Sequence, residues 1–184
     1  MSKEKIFILT PDEKFVESDY NGDFSTISEK IGGLIASPFQ YMTIENSSCG
    51  INRFVWLCDD DGRLKQDLVL NPVATHVYNS PSGKDVFDKR YEPIVGNVVC
   101  MAVYYNEDME MDFRGFETEA EIEMAHAAFD TILEQYKVNE RDIKKRFSDP
   151  KSLGLNNYSV EFTSFDNSND FFDFMASHFS NDER

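Results

Sequence analysis

Between Ile31 and Val103 the chain gathers most of its β-forming residues into short apolar runs, and no other feature restricts the fold as much. The runs are Phe54-Val55-Trp56-Leu57-Cys58, Leu64 to Leu70, and Ile94 to Tyr105. The last is the longest and predicts a central strand. Asp59-Asp60-Asp61-Gly62 separates the first two, and Asp-Gly between β-prone runs predicts a hairpin because both positions tolerate a positive φ. Leu34 to Ile44 is expected to be extended, with Pro38 placing it at an edge or a bulge. Asn71-Pro72 ends the second run, and Pro72 to Val77 reads as a helical turn with Pro near its start.

Around this stretch, Lys5 to Leu9 predicts a first strand, closed by Thr10-Pro11-Asp12. Phe24 to Ile31 predicts a short helix capped by Asp23 or Ser25 and stopped by Gly32-Gly33, with Ile27 and Ile31 on its buried face. The composition changes at Asn106, where Glu107, Asp108, Glu110 and Asp112 follow in close order. Glu119 to Tyr136 is the best helix in the chain. Thr118 and Glu121 form a T-x-x-E capping box. Ile122, Ala125, Phe129, Ile132, Leu133 and Tyr136 recur at helical spacing and are expected to face the core. A second helix is predicted over Asn139 to Phe147, one more strand over Tyr158 to Phe165, and a last helix from Ser168 to Phe179.

These elements predict an α+β fold, a mainly antiparallel sheet from the first half with helices from the second half packed on it. Residues 1–105 form the β-rich core and 106–184 an acidic helical extension, together one compact unit. Trp56, Val69, Ile94, Val98, Phe129 and Leu133 are expected in one buried cluster. At 184 residues such a chain buries roughly 70% of its unfolded surface, enough for a core without covalent staples.

The net charge is −16. A surface this negative repels phosphates and anionic membranes, which excludes ordinary nucleic-acid binding and favours a basic protein partner. Cys49, Cys58 and Cys100 contain no C-x-x-C pair, so neither a disulfide framework nor a zinc site is expected. The polar start predicts no export signal, and no apolar run approaches the ~20 residues of a membrane span. A cytoplasmic protein is the expectation.

Most motif-like strings read as ordinary structure. Asp59-Asp60-Asp61-Gly62 lacks the acid at Leu57 and the Glu at Leu68 that a calcium loop needs. Glu123-x-x-His126 has the spacing of di-iron bundle ligands, with Glu119 and Asp130 on the same face. That face lies opposite the apolar stripe and no second E-x-x-H exists, so no metal and no cofactor are expected. Gly32-Gly33 is not a dinucleotide fingerprint, and Ser82-Gly83-Lys84 lacks the earlier Gly of a phosphate loop. His76, His126 and His178 stand apart from any Ser or Cys at catalytic spacing, so there is no positive sign of an enzyme.

The acidic face of the long helix is the most specific feature outside the core. Glu119, Glu123, Asp130 and Glu134 stay within roughly 60° of one another at 100° per residue. Neighbours four apart lie about 6 Å apart along the axis, a spacing similar to that of phosphates along one DNA strand. Like charges at i, i+4 cost helix stability, so their crowding asks for a reason. Arg141, Lys144, Lys145 and Arg146 form a small basic patch near the end of the helical region, where the helix dipole favours cations.

Ile31-Gly32-Gly33-x-Ile35, the Asp-Gly turn, Leu70-Asn71-Pro72-x-Ala74 and Ile94-Val95-Gly96-Asn97 occur in this order. Over about residues 5–103 the chain therefore resembles a small family of domains of unknown function found in phages, prophages and conjugative elements. It departs from that pattern at Ala36, where the family would carry an acid. The resemblance implies a mobile-element context and no known activity or catalytic residues. The charge balance is also similar to that of acidic anti-restriction proteins that imitate DNA, an analogy without a shared motif.

Together these readings predict a non-enzymatic acidic interaction protein of a mobile element. It would occupy a basic nucleic-acid-binding or defence-protein site of the host by charge mimicry, using Glu107, Asp108, Glu110, Asp112, Glu119, Glu123, Asp130 and Glu134. The alternative is a binding domain for a small, nucleotide-like ligand at Gly32, Gly33 and Asn71, or an enzyme of unfamiliar type. A monomer is favoured over a homodimer, which would bring two very acidic bodies together. The competing reading has Phe171, Phe172, Met175 and Phe179 form a contact between copies instead of closing their own core.

Overall fold

The computed structural model describes residues 4–36, 42–43, 51, 53–65, 67, 69–105 and 111–154. Glu107, Asp108, Glu110, the strand expected over 158–165 and the apolar residues Phe171, Phe172, Met175 and Phe179 lie outside the described residues.

The fold is α+β, built on an antiparallel sheet. In chain order the elements are β1 (Glu4–Leu9), β2 (Phe15–Tyr20), α1 (Phe24–Ile31), β3 (Ile35–Ala36), β4 (Met42–Thr43) and β5 (Arg53–Asp59). They continue with α2 (Pro72–Asn79), β6 (Val98–Tyr105), β7 (Met111–Arg114) and α3 (Glu119–Arg146). The strand order is β2-β1-β6-β5-β3, with β4 also on β5 and β7 on β6. β6 is central, as its length predicts. It pairs β5 from Leu57↔Val99 to Arg53↔Val103 on one side. On the other it pairs β1 through Phe7↔Cys100 and then β7 through Ala102↔Arg114.

The inner strands read as unbroken apolar runs because both of their faces are covered. Phe7, Leu9, Phe54, Trp56, Val98, Cys100 and Ala102 face α2 and α3. Ile6, Ile8, Val55, Leu57, Val99, Met101 and Val103 face α1, where Ile27 and Ile31 are buried against them. α1 starts where expected, with the Asp23 carboxylate accepting from the Ser25 N–H and Gly32 closing it at φ +80°. Phe129 of α3 sits among the rings of Phe7, Phe15, Phe54 and Trp56.

Four expectations are corrected. No hairpin forms at Asp61-Gly62. Asp61 has φ −92°, Gly62–Leu64 is a 3-10 turn, and the buried Gly62 packs near Val95. β5 has β6 on one side and β3 and β4 on the other, so the later run has no strand position beside it. Leu70 instead makes a single bridge to Val95. Val69 is 56% exposed and outside the core, whereas Trp56, Ile94, Val98 and Phe129 are buried in one cluster and Leu133 packs on it half-buried. The two helices expected over residues 119–147 are one, because no Gly or Pro interrupts Lys137 to Glu140. Finally, the sheet does not stop at the compositional change near Asn106, since β7 pairs with β6 beyond it.

Candidate interaction surface

α3 is anchored at its start by the capping box read from the sequence. The Thr118 hydroxyl accepts from the Glu121 N–H at 3.3 Å, and Glu121 accepts in return from the N–H groups of Thr118 and Glu117. Glu121 also receives both ends of the Arg114 guanidinium, at 3.1 and 3.0 Å. Its residue is 4% exposed. Burial pushes the Glu121 carboxyl up, but Arg114 and the two backbone donors outweigh that and hold it below its ordinary range.

At the other end of α3 three of the four cations, Arg141, Lys144 and Arg146, are engaged, and Lys145 is exposed. Lys144 pairs with Glu140 at 2.6 Å and also with Glu13 in the β1–β2 turn. Arg141 pairs with Asp142. Arg146 donates to the carbonyls of Val86 and Tyr91 and lies over the Tyr91 and Phe147 rings. Most of the basic patch thus serves the fold.

Between the two ends, Glu119, Glu123, Asp130 and Glu134 are all exposed, as their spacing predicts. None of the four takes part in an ion pair among the described residues. Other acids on or beside the helix are paired: Glu117 and Glu121 with Arg114, Glu140 with Lys144, and Asp142 with Arg141. Asp112 is exposed in β7, where it accepts from the Tyr104 hydroxyl at 3.1 Å across the β6–β7 pair. His126 is exposed on the same flank of α3, its ring edge-on to Phe7 at 5.0 Å. Among the described residues no group of three or more His, Cys, Asp or Glu is placed to hold a metal ion.

The acidic flank of α3 borders an open groove. Glu13, Lys14, Phe15, Val16 and Glu17 line one side of it, and His126, Phe129, Asp130 and Leu133 the other. At 100° per residue His126 and Leu133 lie between core-facing Phe129 and outward Asp130, so the acid stripe forms the groove's outer rim. The β2 wall was missed in the sequence, although Phe15-Val16-Glu17-Ser18-Asp19-Tyr20 alternates in part and follows a turn-rich segment.

Gly32, Gly33 and Asn71 have local structural roles. Asn71 is fully buried and caps α2 by accepting from the Ala74 N–H, while its amide donates to the carbonyls of Leu9 and Gly96. A Cβ on Gly33 would run into the Asp59 carboxylate, so a larger residue there would have to displace that side chain. Lys65 joins this corner by donating to the Gly32 carbonyl and pairing with Asp59. A nearby cleft of about 140 Å³ is lined instead by residues such as Ala36, Cys58, Asp60, Arg63 and Tyr78. Burial, with Asp59 and Asp60 beside it, pushes the Cys58 thiol up to about 12, which leaves it a poor nucleophile. Ser80 and His76 are also close, at 3.3 Å, but the Ser80 hydroxyl gives its one proton to the His76 carbonyl at 2.7 Å. That is a helix-end hydrogen bond, not an activated nucleophile.

No helix among the described residues is long and apolar enough to cross a membrane. No protein-family model matches the chain, and no curated protein or solved structure matches it either.

Proposed function

We propose that this chain is a non-enzymatic acidic interaction protein of a mobile element, acting in the host cytoplasm. Its acidic surface occupies a basic site on a host nucleic-acid-binding or defence protein. One observation carries the reading. Glu119, Glu123, Asp130 and Glu134 stand exposed and without ion pairs among the described residues, while acids next to them on the same helix are paired. A fold that needed these charges for itself would partner them. The net charge of −16 and the mobile-element resemblance point the same way.

Capture from host lysate at low and high salt, followed by association kinetics, tests the reading. Combining Glu119→Gln, Glu123→Gln, Asp130→Asn and Glu134→Gln keeps the size of each side chain and removes four charges. The captured basic partner is expected to bind the variant far more slowly and to release nucleic acid when the native chain is added. A partner whose binding ignores both salt and the variant overturns the proposal.

A further inference from the structure

Among the described residues β2 is one edge of the sheet, and its hydrogen-bonding pattern can be worked out from one bridge. Lys5 exchanges both backbone hydrogen bonds with Phe116, at 2.9 and 2.7 Å, and so faces away from β2. In an antiparallel ladder the direction alternates, so Ile6 and Ile8 face β2 and bond to their opposites Ser18 and Val16. The amides and carbonyls of Phe15 and Glu17 then point outward, away from β1. Among the described residues no strand lies beyond them.

This open edge lies against the groove described above. Phe15 stacks on Phe129 with ring centres 3.9 Å apart, and Asp130, His126 and Leu133 of α3 face it across the groove. The opposite face of β2 carries Val16, which is 44% exposed. We propose that β2 accepts an extended basic segment of the partner as an additional strand, with its Lys or Arg side chains beneath the acid stripe of α3. This rests on the acidic-surface reading and names the form in which the partner enters it.

The occupant's chemistry follows from the two faces. Side chains of an added strand alternate between them. Those opposite Phe15 and Glu17 lie on the α3 side, where cations meet Asp130, which has no ion pair among the described residues, and a Glu17 carboxylate that Lys5 already holds at 3.0 Å. Those opposite Val16 lie on the other side, where an apolar residue covers exposed apolar surface. The segment is therefore one in which Lys or Arg alternates with apolar residues. Main-chain bonds hold such a strand, and side chains select it. Acids on an edge also discourage pairing with a second copy of the same acidic edge, so the same charges reject self-association and admit a basic strand.

The test uses the full chain, isotopically labelled, and a blocked peptide alternating Lys and Val over the length of β2. A Lys-Pro peptide of equal charge cannot form the ladder and serves as the control. Only the Lys-Val peptide is expected to slow hydrogen exchange at the Phe15 and Glu17 amides. Glu17→Pro removes an outward N–H that β1 does not use, and is expected to weaken Lys-Val binding about tenfold relative to Glu17→Gln. If Glu17→Pro fails to fold, the exchange result on the native chain decides alone. Amides already protected in the free protein overturn the proposal, since the edge is then covered by the chain itself or by a second copy. Equal binding of both peptides, lost in the four-charge variant, overturns strand addition and leaves the acidic-surface reading standing. Strand addition that persists unchanged in the four-charge variant supports the edge site and sinks the acidic-surface reading.

Discussion

The two flanks of α3 are built on opposite rules. The inner flank holds Ala125, Phe129, Ile132 and Tyr136, all buried, together with Glu121, a charge paired on every side. The outer flank holds four acids that touch no cation among the described residues. Amino-acid type does not separate them, since both flanks contain Glu. Partnering does. Glu121 is buried and held by several donors, whereas the four acids of the outer flank stand exposed without an ion pair among the described residues.

The sharpest way to test this contrast is to damage the inner flank. Phe129 packs against the rings of Phe7, Phe15, Phe54 and Trp56, and Phe129→Ala leaves a cavity where rigid rings on β1, β2 and β5 cannot easily close in. A loss of about 3–5 kcal/mol is expected in denaturant unfolding. An unchanged midpoint would mean that α3 is not fastened to the sheet through this residue.

Glu121 comes next. Glu121→Ala leaves Arg114 half-buried without its bidentate partner and opens the capping box, and about 2–3 kcal/mol is expected to be lost. The carboxyl is held below its ordinary 4.5 in the folded chain, so the unfolded state takes up its proton first as the solution is acidified. Its contribution is therefore full above 4.5 and disappears as pH falls through the lower folded value. Acid titration of Glu121→Gln against the native chain checks this. The variant's stability is expected to fall less steeply below that pH, and parallel curves would remove Glu121 from the account. Thr118→Ala takes away only the other half of the box and is expected to cost about 1 kcal/mol.

What the sequence disclosed follows the same division. Both ends of α1 and the start of α3 were readable because their signals are local: Asp23, Gly32, Thr118 and Glu121 act on backbone within three or four residues. The exposed acid stripe was readable for the same reason, being a matter of helical spacing alone. Pairing across the sheet was not. Asp61-Gly62 carries a hairpin signal, yet β6 arrives from forty residues later and takes one side of β5. Asn71 looked free for a ligand because nothing in the sequence places the Leu9 and Gly96 carbonyls beside it. The groove under the stripe was hidden for a related reason: its second wall, β2, is half polar and lies far from α3 in the sequence.

The smallest expected effect is the most informative about the outer flank. Glu119 and Glu123 are four apart, as are Asp130 and Glu134, so each pair repels along the helix. If these acids serve no bond within the fold, removing their charges relieves that repulsion and breaks nothing. Glu119 stands in the first turn of α3, where the helix dipole favours an acid, so a variant that keeps it and carries Glu123→Gln, Asp130→Asn and Glu134→Gln is expected to melt about 1–4 °C above the native chain at low salt. The gain should vanish at high salt, because exposed charges are screened within about 10 Å at 0.1 M. Melting curves for both proteins across a salt series separate the possibilities. A variant that melts lower at every salt concentration would show that the acids hold part of the chain in place. The outer flank would then obey the same rule as the inner one, and the case for a surface kept for a partner would fall with it.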